Sequence, residues 1–143
     1  MSTEQNKANA RRFYEEVWNQ GNLAVADELN AINFVDESLQ PPIHSLEDLK
    51  HFVTMYRTAF PDAHFTIEDI IAEGDKVAVR FTATGTHQGD LMGIAPTGKH
   101  ATATGISIIC YENGKAMEGW ANFDDLGMLQ QLGVIPPMGW SLA

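Results

Sequence analysis

The sequence predicts an α+β fold with an antiparallel sheet, on three observations. About sixty N-terminal residues carry apolar side chains at spacings of three and four. From His64 onward the period changes to two. The last two alternating segments are joined by Asn113-Gly114, a dipeptide suited to a turn with positive φ at both central positions. Helices followed by a run of hairpin-connected strands form one layer on another, with the helices covering one face of the sheet. What the helices do not cover on that face can remain a cavity.

The first helix starts from Ser2 or Thr3 and turns Ala10, Phe13, Tyr14, Val17 and Trp18 to one side, with Gly21 as its terminator. Asn22 caps a second, short helix through Leu29 that sends Leu23, Ala26 and Leu29 inward. A third starts at Ser45, where Ser45-Leu-Glu-Asp48 is a capping box with Asp in place of Glu. Its apolar face is Leu49, Phe52, Val53, Tyr56 and Phe60, and Pro61 stops it. Strands are expected over 64–71, 76–85, 99–111 and 115–123, with a Gly/Pro-rich loop, Gln88 to Gly98, between the second and third. Asp124 or Asp125 then caps a final short helix through Leu132, closed by Gly133. No repeat or linker divides residues 1–143, which read as a single domain. Residues 134–143 form an apolar, proline-broken tail expected to pack as an extended arm.

Composition narrows the function. Nine basic residues face nineteen acidic ones, a net charge of −10, so phosphate backbones and anionic membrane surfaces are repelled. Neither nucleic acid nor membrane is an expected partner. The N-terminal segment lacks the apolar stretch of a secretory signal, and no segment approaches the ~20 apolar residues of a membrane helix, so a cytoplasmic protein is expected. The lone Cys110, between Ile109 and Tyr111, reads as a buried structural thiol. His87 and His100 flank the loop as a half-exposed pair. They share no ligand spacing with another His or Cys, so no metal site is expected.

The informative segment is Met117-Glu-Gly-Trp-Ala-Asn-Phe-Asp-Asp-Leu-Gly127. With period two, Glu118, Trp120, Asn122 and Asp124 share one face, and Met117, Ala121 and Phe123 the other. An aromatic ring, an amide and a carboxylate in register can furnish a pocket for a small organic ligand. A carboxylate beside Trp120 and Phe123 would be partly desolvated, which moves its pKa toward the range of a general base. The alternative is that Asp124 only caps the last helix and Trp120 belongs to the core.

Several stretches together resemble the SnoaL-like polyketide cyclases of the NTF2-like superfamily. They are Arg12-Phe-Tyr-Glu-Glu-Val-Trp-Asn-Gln-Gly-Asn22, Tyr56-Arg-Thr-Ala-Phe-Pro-Asp62, Thr84-Gly-Thr-His-Gln-Gly89, Met92-Gly-Ile-Ala-Pro-Thr-Gly98 and Asp124-Asp-Leu-Gly-Met-Leu-Gln-Gln-Leu-Gly133. The resemblance implies an NTF2-like cone: three N-terminal helices packed on a curved antiparallel sheet that encloses a pocket, in a homodimer. It implies an acid/base enzyme, needing neither metal nor organic cofactor, that closes or isomerises a small apolar, polyketide-like carbonyl compound by intramolecular aldol chemistry. One aspartate near the end of the last strand acts as acid and base. Asp124 matches that position and Asp125 is the neighbouring candidate. Asn122 or Trp120 would assist at the oxyanion and His87 from the loop side. A binder without activity, a ketosteroid-isomerase-like enzyme and an epoxide hydrolase are the competing functions. The hydrolase would need Arg80 with Asp36 or Glu118 inside the cavity. Two features depart from the family's pattern: Glu37 follows Val35-Asp36 where many relatives have His, and no His lies beyond His100.

Overall fold

The computed structural model describes residues 2–137. Helix α1 (Thr3–Arg12) is capped by Ser2, whose hydroxyl accepts the Gln5 N–H at 3.1 Å. It runs without a break into a wider turn, Phe13–Trp18, in which the Asn19 N–H bonds the Tyr14 carbonyl five residues back. Such π turns insert one residue into the helical repeat and are frequent at functional sites. Helix α2 (Leu23–Leu29) leads directly into strand β1 (Asn30–Val35). Helix α3 (Leu46–Ala59) starts from Ser45, which accepts the Asp48 N–H. The reciprocal bond of a capping box is absent: Asp48 accepts from the His44 N–H instead.

Strands β2 (His64–Glu73), β3 (Lys76–Thr86), β4 (His100–Glu112) and β5 (Lys115–Phe123) follow as antiparallel neighbours, and α4 (Asp125–Gln131) ends the described elements. Asn113 and Gly114 both have positive φ in the β4–β5 turn, as the dipeptide predicts. The sheet order is β1-β5-β4-β3-β2.

Two expectations need correction. The sheet is mixed, because β1 pairs in parallel with β5, through Asn30 with Ala116 and Val35 with Glu118. Among the described residues there are four helices, and β1 lies between the second and the third, so the expected N-terminal series of three helices is interrupted by a strand. The C-terminal tail is described only to residue 137, where Gln130 Nε2 bonds the Pro136 carbonyl; the rest of the expected arm lies outside the described residues.

Bulges between Ile67 and Asp69 in β2 and at Cys110/Tyr111 opposite β5 bend the sheet. One core cluster joins α1, the π turn, α2 and α3 to the inner sheet face, through Tyr14, Val17, Phe52, Val53, Val79 and Phe81 among others. A second, smaller cluster at the other end joins Ala59, Phe60, Leu91, Ala103, Met128 and Leu132.

The inner face explains why the core is not filled. Along the first half of β4 the inward positions are the small residues Ala101, Ala103, Gly105 and Ser107, followed by Ile109 and Tyr111. On β5 they include Ala116, Gly119 and Ala121. Small residues at the middle of a bent sheet leave volume that the long aromatic side chains of the helices surround without occupying.

Candidate functional site

A cavity of about 270 Å³ lies between the helices and the inner sheet face. Its wall is predominantly aromatic and aliphatic. Phe13, Tyr14 and Trp18 come from the π turn, Phe52 and Tyr56 from α3, and Phe65, Phe81 and Phe123 from the sheet. Trp18 and Phe65 pack with ring centroids 4.8 Å apart, and Tyr14 and Phe81 at 5.3 Å, so the wall is a continuous aromatic shell. Leu91, Met92 and Ile94 of the 88–98 loop close it on one side. Among the described residues, no lysine, arginine or histidine borders it.

The two adjacent aspartates at the end of β5 do different things. Asp124 is the N-cap of α4, its Oδ1 accepting the Gly127 N–H at 2.9 Å, and it does not border the cavity. Asp125 does border it. Burial first, and then the nearby Asp124 carboxylate, raise the Asp125 carboxyl above the usual carboxylate range. Asp125 is nevertheless an exposed residue. The two observations agree because it sits where an apolar wall, with Phe123, Met128 and Leu129, meets open space.

Asp36 is the second carboxyl on the cavity and is only 5% exposed. It follows β1 and is fixed by a two-residue bridge with Ile43. Its Oδ1 accepts both the backbone N–H of Ser38, at 2.9 Å, and the Ser38 hydroxyl. Burial raises its pKa and the Ser38 bonds only partly offset this, while Glu118 and Glu37 add to the rise.

Between these carboxyls lies a hydroxyl pair that the sequence reading did not single out. Tyr14 Oη and Ser107 Oγ are 2.7 Å apart, both residues are buried, and both border the cavity. Burial pushes the Tyr14 phenol up to about 12, so it keeps its proton. Tyr56, near Asp125, is likewise pushed up to about 12. The available signal for Tyr14 was its polar tip on an otherwise apolar helix face.

The remaining expected site residues lie elsewhere. His87 is fully buried, not half-exposed, and does not border the cavity. Its ring packs on Phe60 at 5.4 Å, and Nδ1 accepts the Thr97 N–H at 3.2 Å, which anchors the 88–98 loop. Nε2 has no hydrogen-bond partner among the described residues. Asn122 stands on the outer face opposite Ile106 and does not reach the cavity. Trp120 touches the cavity's edge, but it holds the outward register opposite Ile108, is 40% exposed, and has Lys76 Nζ 5.8 Å from its ring centroid. Arg80 is also outside, bound through Nε and a terminal guanidinium nitrogen to Asp69 at 2.7 Å, so the constellation of Arg80 with Asp36 or Glu118 does not form. Cys110 is half-buried on the outer side and its Sγ lies 3.6 Å from Asp75 Oδ2. For Trp120 and Asn122 the cause is the direction of the β5 alternation: Gly119, Ala121 and Phe123 point inward, and Glu118, Trp120 and Asn122 outward.

No group of three metal-ligating side chains converges among the described residues, and no helix among them is long and apolar enough to cross a membrane.

The family model for SnoaL-like polyketide cyclases matches residues 8–132. No curated protein matches the sequence. Among solved structures, the chain is similar to AclR from Streptomyces galilaeus, a proposed hydroxylase. The identity is 29% over 95% of this chain and 85% of that one, with a TM-score of 0.84. It is also similar to IdmH from Streptomyces antibioticus, a proposed polyketide cyclase, at 31% identity over 91% of this chain and 99% of that one, with a TM-score of 0.80. A proposed SnoaL-like cyclase from Jannaschia shares the fold at 24% identity, covering 94% and 95% of the two chains with a TM-score of 0.85.

Proposed function

The chain belongs to the SnoaL-like polyketide cyclase family, and we propose that it is an acid/base enzyme in which Asp125, rather than Asp124, moves the proton. The observation that carries this reading is a carboxyl with a raised pKa bordering an apolar cavity, beside a second carboxyl committed to a helix cap.

The chemistry that suits such a site is an intramolecular aldol condensation, or a related isomerisation, of a small apolar carbonyl compound. Asp125 removes a proton from a carbon flanked by two carbonyl groups. The enolate carbon forms a bond to a ketone carbon in the same molecule, whose oxygen becomes an alkoxide. The protonated Asp125 returns its proton to that oxygen, so the carboxylate is regenerated and nothing is consumed. The raised pKa serves both halves, because it makes the carboxylate a stronger base and leaves more of the carboxyl protonated, and so able to donate, toward neutral pH. With Ser107 donating to its oxygen, Tyr14 can direct its own proton at the developing oxyanion. The aromatic wall would hold the folded chain of the substrate in a reactive pose.

Turnover of a linear poly-β-ketone analogue tests this. Asp125→Asn is expected to lower the rate at least about 10²-fold and Asp124→Asn much less. The competing reading, a binder without activity, is favoured by the scarcity of polar groups on the wall. It predicts calorimetric binding of the same analogue with no product from the unaltered protein. Epoxide hydrolysis loses its support with Arg80 outside the cavity.

A second copy of the chain is the partner we propose for the outer sheet face. Ile71, Ala78, Ile108 and Trp120 form one cross-strand row over β2 to β5, with Ile106 beside it. Ile71 is 68% exposed and Ile106 52%. A continuous apolar row on a sheet favours association.

A further inference from the structure

Among the described residues, half of the Asp36 carboxylate has no protein partner. It is buried, and Oδ1 is fully engaged by Ser38. Oδ2 makes no hydrogen bond to any described residue and is not among the sealed-off polar atoms, so it faces open space. Gly119 keeps it open: a Cβ there would lie 3.1 Å from Oδ2. The charges nearest to it, Glu37 and Glu118, are both acidic. A buried carboxylate without a cation is costly, and a ligand that brings one relieves the cost. The surrounding wall of Tyr14, Phe34 and Tyr111 offers ring faces that attract cations and gain nothing from anions.

We infer that the cavity takes an organic cation, a protonated amine carried on an apolar ring frame, with an N–H directed at Asp36 Oδ2. This rests on the cavity being a ligand site and names the class of ligand for the reaction proposed above: an amino-substituted carbonyl compound rather than a carboxylic acid. Asp36 lies beside Gly119 and Asp125 follows Phe123, four residues or roughly 13 Å further along β5, so the amine and the reacting carbonyls occupy opposite ends of the ligand.

Three naphthalene probes of matched size decide it by calorimetry at neutral pH: 2-(aminomethyl)naphthalene, 2-acetylnaphthalene and 2-naphthoate. The ammonium probe is expected to bind about 10-fold tighter than the ketone and about 100-fold tighter than the carboxylate. Asp36→Asn should remove at least about 10-fold from the ammonium probe and leave the ketone within about threefold. If this variant does not fold, the ranking on the unaltered protein decides alone. Equal or weaker binding of the ammonium probe relative to the ketone overturns the inference and leaves the proposed reaction standing. So does a preference that survives in Asp36→Asn, or one that is lost in Asp125→Asn instead. Binding of none of the three overturns both.

Discussion

Asp124 and Asp125 show how one residue's step along the chain changes a carboxyl's task. The first closes an open N–H of α4, and the second is turned toward an apolar wall. Removing the cap by Asp124→Ala is expected to cost about 1 kcal/mol in urea unfolding. Asp36 carries a different signature. Because burial raises its pKa in the folded protein, the native state holds its proton over a pH range where the unfolded chain has released it. Stability therefore falls as pH rises through the window between the ordinary carboxylate value, about 3.9, and the raised one. Asp36→Asn removes that penalty, since an amide oxygen can still accept from Ser38. Its melting temperature should exceed the unaltered protein's at pH 7, and the gap should close on acidification below about pH 4. A gap independent of pH would show that Asp36 is not desolvated.

At the scale of elements, the 88–98 loop is anchored where it leaves β3. Gln88 and Gly89 both donate to the Ala59 carbonyl, and Leu91 is fully buried against Phe60 and Met128. A Cβ at Gly89 would lie 2.2 Å from the Thr58 carbonyl oxygen, which is backbone and cannot move aside cheaply. Gly89→Ala is expected to destabilise the protein by about 1–3 kcal/mol and to loosen the loop, read as faster amide exchange at Leu91. The helices were legible in the sequence because caps such as Ser2 and Ser45 coincide with the start of a 3.6-residue period. Strand β1 was not: Asn30–Val35 shows no alternation, and its parallel partner β5 is some eighty residues away. The π turn left no trace either, since Phe13, Tyr14, Val17 and Trp18 satisfy the ordinary helical spacing. On β5 the alternation was visible but its direction was not, because Trp120 outside and Phe123 inside are equally apolar. The structure shows that the small inward residues Ala101, Ala103, Gly105 and Ser107 mark the cavity face, a signal the sequence carries but that the sequence reading did not use.

At the scale of the molecule, the two faces of one sheet divide the functions. The inner face is hollowed by small residues and closed by aromatic helices, and the outer face carries an apolar row from Ile71 to Trp120. Replacing Ile71 and Ile106 together by Lys should convert a dimer to a monomer in analytical ultracentrifugation without lowering binding in the cavity. An unchanged sedimentation coefficient would place the interface elsewhere. The whole account depends on the apolar wall beside Asp125 raising the pKa of a carboxyl that is otherwise open to water. Carbon-13 NMR titration of the aspartate carboxyls measures this without any substrate. Asp125 should titrate above the ordinary carboxylate value, and further upward when 2-acetylnaphthalene fills the cavity and expels its water. An Asp125 that titrates at the ordinary value, and does not respond to the probe, would contradict the proposed catalysis.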